Sequence, residues 1–146
     1  MFLGTHEPRL DDKGRLILPA RFRDDLAAGL VITRGQERCL NVWPIARFTE
    51  ITRELGLGGS VTNKELRDYQ RVFLSGASPE TPDKQGRVTV PPNLRKYAHL
   101  EREVCVIGAG ERVEIWDATA WHAYLSEQED GYASMSGEVL PNPIGA

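Results

Sequence analysis

Long apolar runs are missing from this chain of 146 residues. No segment approaches the roughly 20 apolar residues that a helix needs to cross a bilayer, so no membrane role is expected. The N-terminal MFLGTHEPRL lacks the basic segment, apolar core and small-residue cleavage site of a secretory signal, which predicts a protein that stays in the cell. Cysteine is scarce. Cys39 and Cys105 each stand in an apolar stretch and have no metal-type spacing, so they read as buried, reduced thiols. His6, His99 and His122 are scattered along the chain, and neither Ser nor Cys stands in an evident nucleophile motif. The reading is of a protein that is not an enzyme, with no metal and no cofactor. Lys and Arg are absent from 126–146, where Glu127, Glu129, Asp130 and Glu138 stand among Gly131, Gly137, Pro141, Pro143 and Gly145. Such a stretch predicts a loose acidic tail. Its four acidic residues take the net charge of the rest from −3 to +1, which leaves room for a local basic patch.

What the chain does contain is a repeat. Residues 11–23 read DDKGRLILPARFR and residues 83–95 read DKQGRVTVPPNLR, with Asp11/Asp83, Gly14/Gly86, Arg15/Arg87, Pro19/Pro91 and Arg23/Arg95 in constant register. Further on, VITRGQERCLNVW at 31–43 aligns with VCVIGAGERVEIW at 104–116, pairing Gly35 with Gly108 and Trp43 with Trp116 after one inserted residue. Each copy predicts a half-buried strand ended by proline, a short helix, a hairpin with Gly35, Gly108 and Gly110 in its turns, and a longer helix. Ile45, Phe48, Ile51 and Leu55 recur at helical spacing in the first of these longer helices, and Asp117 suits the N-cap of the second. Between the copies, Thr62 and Glu65 suggest a capping box for a helix that buries Leu66, Tyr69, Val72 and Phe73 on one face. The chain thus divides into a first repeat at 1–55, a helical connector at 56–76, a second repeat at 77–126 and the tail at 127–146. A half-unit of short hairpins cannot close a core by itself. The fold class predicted is mainly β with flanking helices: a pseudo-twofold β-barrel built from two tandem repeats.

The repeated loop carries the chemistry. Its glycine permits positive φ, its Asp can accept from turn amides, and an Asp four residues before an Arg can orient the guanidinium. An Arg held so can bind a phosphate or a guanine edge at less entropic cost than a free side chain. One such pair on a surface is worth little; two in register carry more weight.

The ordered motifs MFLGT, LDDKGRLILPARFR, FLSGA, DKQGRVTVP and IGAGERVEIW resemble the MraZ family of bacterial regulators over about residues 1–125. The resemblance implies a swapped-hairpin barrel of the AbrB or double-psi type. It implies a closed-ring homo-oligomer, cytoplasmic and associated with the nucleoid. Its partner would be double-stranded DNA, at promoter repeats of the division and cell-wall gene cluster that includes its own gene. The family's paired Asp-x-x-x-Arg motifs correspond to Asp11 with Arg15 and Asp83 with Arg87; Arg9, Lys13, Arg21 and Arg23 complete the expected DNA-binding patch. Copy two has Gln85, Thr89 and Asn93 where copy one has Lys13, Ile17 and Arg21, so copy one reads as the more basic and Arg15 is expected to dominate. Two rival readings stand beside this one. A ring-forming protein-interaction adaptor would use Trp43, Trp116, Trp121, Phe48 and Phe73 as anchors, although these read more simply as core. A double-psi-barrel enzyme that cleaves itself would use the Gly59–Ser60 bond, which stands in a linker-like LGLGGS.

Overall fold

A computed structural model describes residues 1–56 and 62–136. Copy one contributes β1 (Thr5–His6), β2 (Arg15–Ile17), α1 (Ala20–Leu26), β3 (Leu30–Arg34), β4 (Leu40–Pro44) and α2 (Ile45–Glu54). After α3 (Lys64–Ser75), copy two contributes β5 (Ser78–Glu80), β6 (Arg87–Thr89), α4 (Pro92–Tyr97), β7 (Val104–Gly108), β8 (Val113–Asp117) and α5 (Ala118–Ala133). The strands form a six-stranded antiparallel sheet in the order β1-β7-β8-β4-β3-β5 and a separate two-stranded ladder of β2 with β6. Among the described residues no strand ladder joins the two sheets into a hydrogen-bonded ring.

The register makes the repeat a spatial symmetry. In the small ladder Arg15 faces Thr89, Leu16 faces Val88 and Ile17 faces Arg87, so exchanging the copies reproduces the same pairs. The β4–β8 pairing obeys the same exchange, with Leu40 opposite Ile115, Asn41 opposite Glu114 and Val42 opposite Val113. The outer strands are traded between copies: β1 of copy one pairs with β7 of copy two, and β5 of copy two pairs with β3 of copy one. The register also corrects the alignment. Leu30 pairs with Pro44 as Val104 pairs with Asp117, so Arg34, not Gly35, is the counterpart of Gly108, and the extra residue belongs to the hairpin loop of copy one. In that loop the left-handed positions are Glu37 (φ 57°) and Arg38 (φ 64°), whereas Gly110 (φ 84°) serves in copy two.

One core lies between the sheets. Leu16, Leu18, Val88 and Val90 from the small ladder meet Ile32, Leu40, Val106 and Ile115 from the large one, all at most 2% exposed, with Phe22, Leu26 and Leu94 supplied by α1 and α4. Alternation along each strand decides which residues enter it. Leu16 and Val88 point inward, while Ile17 and Thr89 face solvent.

Several helix details differ from expectation. Asn63, not Thr62, caps α3 by accepting from the Leu66 amide at 3.2 Å. Of the apolar face predicted for that helix only Phe73 is buried; Leu66, Tyr69 and Val72 are 37%, 44% and 53% exposed, because α3 touches the rest of the chain along a narrower stripe. Asp117 caps α5 as its position suggested, its carboxylate accepting from the Ala120 amide at 3.0 Å. That helix continues through Gly131 to Ala133, so the first part of the expected loose tail is helical. Gly59–Ser60 and 137–146 lie outside the described residues.

Leu16 is wholly buried at the centre of the exchange. Leu16→Ala is expected to destabilise the fold by about 2–5 kcal/mol, as buried leucine truncations do, read as a lower urea midpoint with an unchanged slope.

Candidate nucleic-acid interface

The two loops before β2 and β6 are built alike, atom for atom. Asp11 Oδ1 accepts from the amides of Lys13 (2.9 Å) and Arg15 (2.8 Å), and Oδ2 accepts from Arg15 Nε at 2.7 Å. Asp83 Oδ1 accepts from the amides of Gln85 and Arg87, both at 2.9 Å, and Oδ2 accepts from Arg87 Nε at 2.8 Å. The backbone closes each turn, with the Asp11 amide donating to Arg15 O and the Gly14 amide to Asp11 O, and with Asp83, Arg87 and Gly86 repeating the pattern. Gly14 and Gly86 have φ of 77° and 78°, a region that residues with a β-carbon rarely enter.

Each loop is braced by the other copy. The Leu18 amide donates to Gly86 O and the Val90 amide to Gly14 O, both at 2.9 Å. Arg23 and Arg95 press on the opposite glycines: a β-carbon at Gly86 would come within 2.6 Å of Arg23 Nε, and one at Gly14 within 2.7 Å of Arg95 Nε. Their Nε atoms also donate to Leu18 O (3.0 Å) and Val90 O (2.9 Å). Arg23, predicted to face DNA, is therefore a half-buried brace within the fold.

The result is one solvent face shared by both copies. Arg15 and Ile17 on β2 lie beside Thr89 and Arg87 on β6, and strand alternation sends all four outward. Arg15 and Arg87 spend only Nε on their aspartates; among the described residues nothing else engages their Nη groups. The Nη edges of two oriented forks remain free, with exposed Ile17 between them. Lys13 and Arg21 are also exposed, on the loop and on α1. Arg9 stands apart, bridged to Glu103 through the backbone and ion-paired to its carboxylate at 3.5 Å.

Three further residues belong to this face. Lys84 occupies the place of Asp12, and with it the segments 11–23 and 83–95 carry the same net charge, so the greater basicity of copy one lies outside this segment. The exchange of Asp12 for Lys84 offsets the loss of Lys13 and Arg21 in copy two. Ile17 and Thr89 could have been found from strand alternation alone.

The tryptophans and phenylalanines of the adaptor reading lie inside or against the fold. Trp43, Trp116 and Phe73 are 9%, 5% and 6% exposed, and Phe48 and Trp121 pack against them. Burial, foremost, pushes the Cys39 thiol up to about 12 and the Cys105 thiol up to about 11, so both hold their protons at neutral pH and neither is an activated nucleophile.

A family model described as "MraZ protein, putative antitoxin-like" matches residues 1–72 and again 73–136. The chain belongs to the MraZ family. The proteins named transcriptional regulator MraZ of Kineococcus radiotolerans, Parafrankia sp. and Thermobifida fusca are 67%, 61% and 60% identical to it. In each case the similarity spans 99% of this chain and 100% of the relative. The MraZ relatives' names describe regulators, not enzymes. No helix among the described residues is long and apolar enough to cross a membrane.

The Asp11 and Asp83 carboxyls are held below the ordinary 3.8, first by the hydrogen bonds they accept from the Arg15 and Arg87 amides. A depressed carboxyl pKa contributes stability that is complete above the unfolded value and is lost as pH falls through the folded one. The hydrogen bonds that the two carboxylates accept should therefore contribute fully above pH 3.8 and be lost as pH falls below it. Carboxyl carbon shifts followed by NMR should give midpoints below 3.8 for these two aspartates; ordinary midpoints would mean that the amide bonds are not held in solution.

Proposed function

We propose that the protein is a transcriptional regulator that binds double-stranded DNA at repeated promoter sites, including the promoter of its own gene within a division and cell-wall cluster, and does so in the cytoplasm, on the nucleoid. One observation carries the reading: two carboxylate-oriented arginine forks, related by the exchange of the repeats, stand on one solvent face of a two-stranded ribbon. A β-ribbon of this width fits the major groove, where guanidinium groups pair with guanine O6 and N7 and an apolar side chain meets the thymine methyl. Arg15 and Arg87 fill the first role and Ile17 the second. Lys13, Lys84 and Arg21 would meet phosphates, which fix register without reading bases. The names of the MraZ relatives support the regulatory part of this reading.

The exchange of β1 and β5 between the copies supports a swapped-hairpin barrel in which the small ladder closes one side of the shared core. A single ribbon is small for a specific site, since such interfaces bury about 1,000 Å² of protein or more. We therefore read the working form as a closed ring of identical chains that grips several DNA repeats together. The exposed Tyr69, Val72 and Leu74 of α3 provide apolar surface for such assembly.

Because the loops are equivalent in geometry, Arg15→Ala and Arg87→Ala are each expected to cost about 1–3 kcal/mol per contact. Operator affinity measured on folded variants tests this, and wild-type affinity in both would remove the ribbon from the interface. The affinity should also fall steeply with salt, by a log–log slope of about −0.9 for each phosphate neutralised. For the ring, an operator series with one spacer lengthened base by base should show affinity lost at a half-turn offset, because multivalent binding adds about 10²–10⁴-fold only when every site can be reached. Unchanged affinity across that series would leave DNA recognition standing and refute its multivalent form.

A further inference from the structure

Away from the ribbon, the fold brings together three side chains that no sequence spacing links. Glu7 follows β1, Cys105 lies on β7 and His122 sits in the second turn of α5. The β1–β7 register places His6 opposite Val106, which carries Glu7 to the neighbourhood of Cys105, and α5 folds back over the same strand. Glu7 Oε1 lies 2.9 Å from His122 Nε2 and 3.6 Å from Cys105 Sγ, and Sγ lies 3.9 Å from Nε2.

We propose that Glu7, Cys105 and His122 form a binding site for a zinc ion. Zinc bonds of about 2.3 Å to sulfur and about 2.0–2.1 Å to nitrogen or oxygen, at tetrahedral angles, set donor separations of about 3.6 Å from sulfur and about 3.3 Å between nitrogen and oxygen. The oxygen–sulfur separation of 3.6 Å matches its value, and the other two differ from theirs by a few tenths of an ångström, within the reach of side-chain adjustment. The donor set is one that zinc accepts: a thiolate, an imidazole and a carboxylate, with the remaining position left for water. Cys105 closes the inner side of the site, fully buried, while Glu7 and His122 are more than half exposed and form its outer rim. The rim opens on a cleft of about 300 Å³ walled also by Glu103 and Arg9, which are ion-paired to each other. No comparable group of donors occurs elsewhere among the described residues.

Binding replaces the existing hydrogen bonds with metal bonds. The Cys105 thiol gives its proton to solvent and becomes the thiolate ligand, and the imidazole presents the Nε2 lone pair with its proton on Nδ1. The ion then ties the N-terminal strand, the sheet and the last helix together at one point. It would act as a structural clamp, remote in sequence from the Asp–Arg loops.

The test uses the untagged, full-length, reduced chain, stripped with a chelator and titrated with cobalt(II), then with zinc against a chromophoric competitor. The expected result is one equivalent of cobalt with the visible bands of tetrahedral coordination and an ultraviolet thiolate-to-cobalt charge-transfer band, both abolished by zinc. Thermal unfolding should move to higher temperature as zinc is added, because only the folded state holds all three ligands. Cys105→Ala should remove the charge-transfer band. His122→Gln and Glu7→Gln, at exposed positions where folding is not at stake, should each weaken zinc at least tenfold, given that even outer-shell partners are worth about 10–100-fold. His99→Gln should change nothing. An octahedral cobalt spectrum without the sulfur band, or zinc affinity unaltered in both His122→Gln and Glu7→Gln, would overturn the assignment.

Discussion

The reciprocal hold between the two loops is the constraint on which the rest of the molecule depends. Leu18 donates to Gly86 and Val90 to Gly14, while Arg23 and Arg95 lie across the same two glycines. Each loop is thus held by its own aspartate and also by the other copy. The same contact sets the pairing of β2 with β6, turns Leu16 and Val88 into the core and sends Arg15 and Arg87 outward. A side chain at either glycine would push against a guanidinium already tied to a backbone carbonyl, and would also have to adopt a left-handed φ. Packing and recognition are therefore set by one local arrangement, repeated by symmetry.

Arginine has two separate uses within the repeated segment. Arg15 and Arg87 are fixed at Nε and, among the described residues, free at Nη, which leaves a directional donor pair. Arg23 and Arg95 are also fixed at Nε, but by a carbonyl of their own copy, and their planes cover the opposite turn. A count of positive charges treats all four alike. Position relative to the turn separates those that can meet a ligand from those that close the fold, which is why Arg23 belongs with the braces and Lys84 with the exposed surface.

Much of the fold was legible because it follows from short-range rules. Strand alternation, the prolines that end β2 and β6, the two hairpins and the Asp117 cap are all local, and the Asp–Arg turns were readable at the level of individual hydrogen-bonding groups. What escaped depended on distance or on subtle competition. Asn63 took the cap from its neighbour Thr62, and the α3 face exposed Tyr69 and Val72 because helical periodicity says which residues share a side but not what covers it. The equivalence of Gly35 and Gly108 failed because an insertion in a hairpin loop can be located only by strand register. The meeting of Glu7 with Cys105, 98 positions apart, depends on β1 crossing to the other copy, for which no spacing rule exists.

That crossing has a consequence for how the chain folds during synthesis. Thr5 and His6 leave the ribosome well before their partners Ile107 and Val106. Copy one can form its β3–β4 hairpin early, but β1 must wait for β7 before its ladder exists, and β2 must wait for β6. Long-range pairings of this kind are formed late and slowly, since loop closure precedes any reward from contact. For that interval the nascent first repeat carries unpaired strands with Leu16 and Leu18 uncovered. The same strands in a neighbouring nascent chain offer a ready substitute, so assembly on crowded polysomes is the point at which this architecture is most open to pairing between molecules rather than within one.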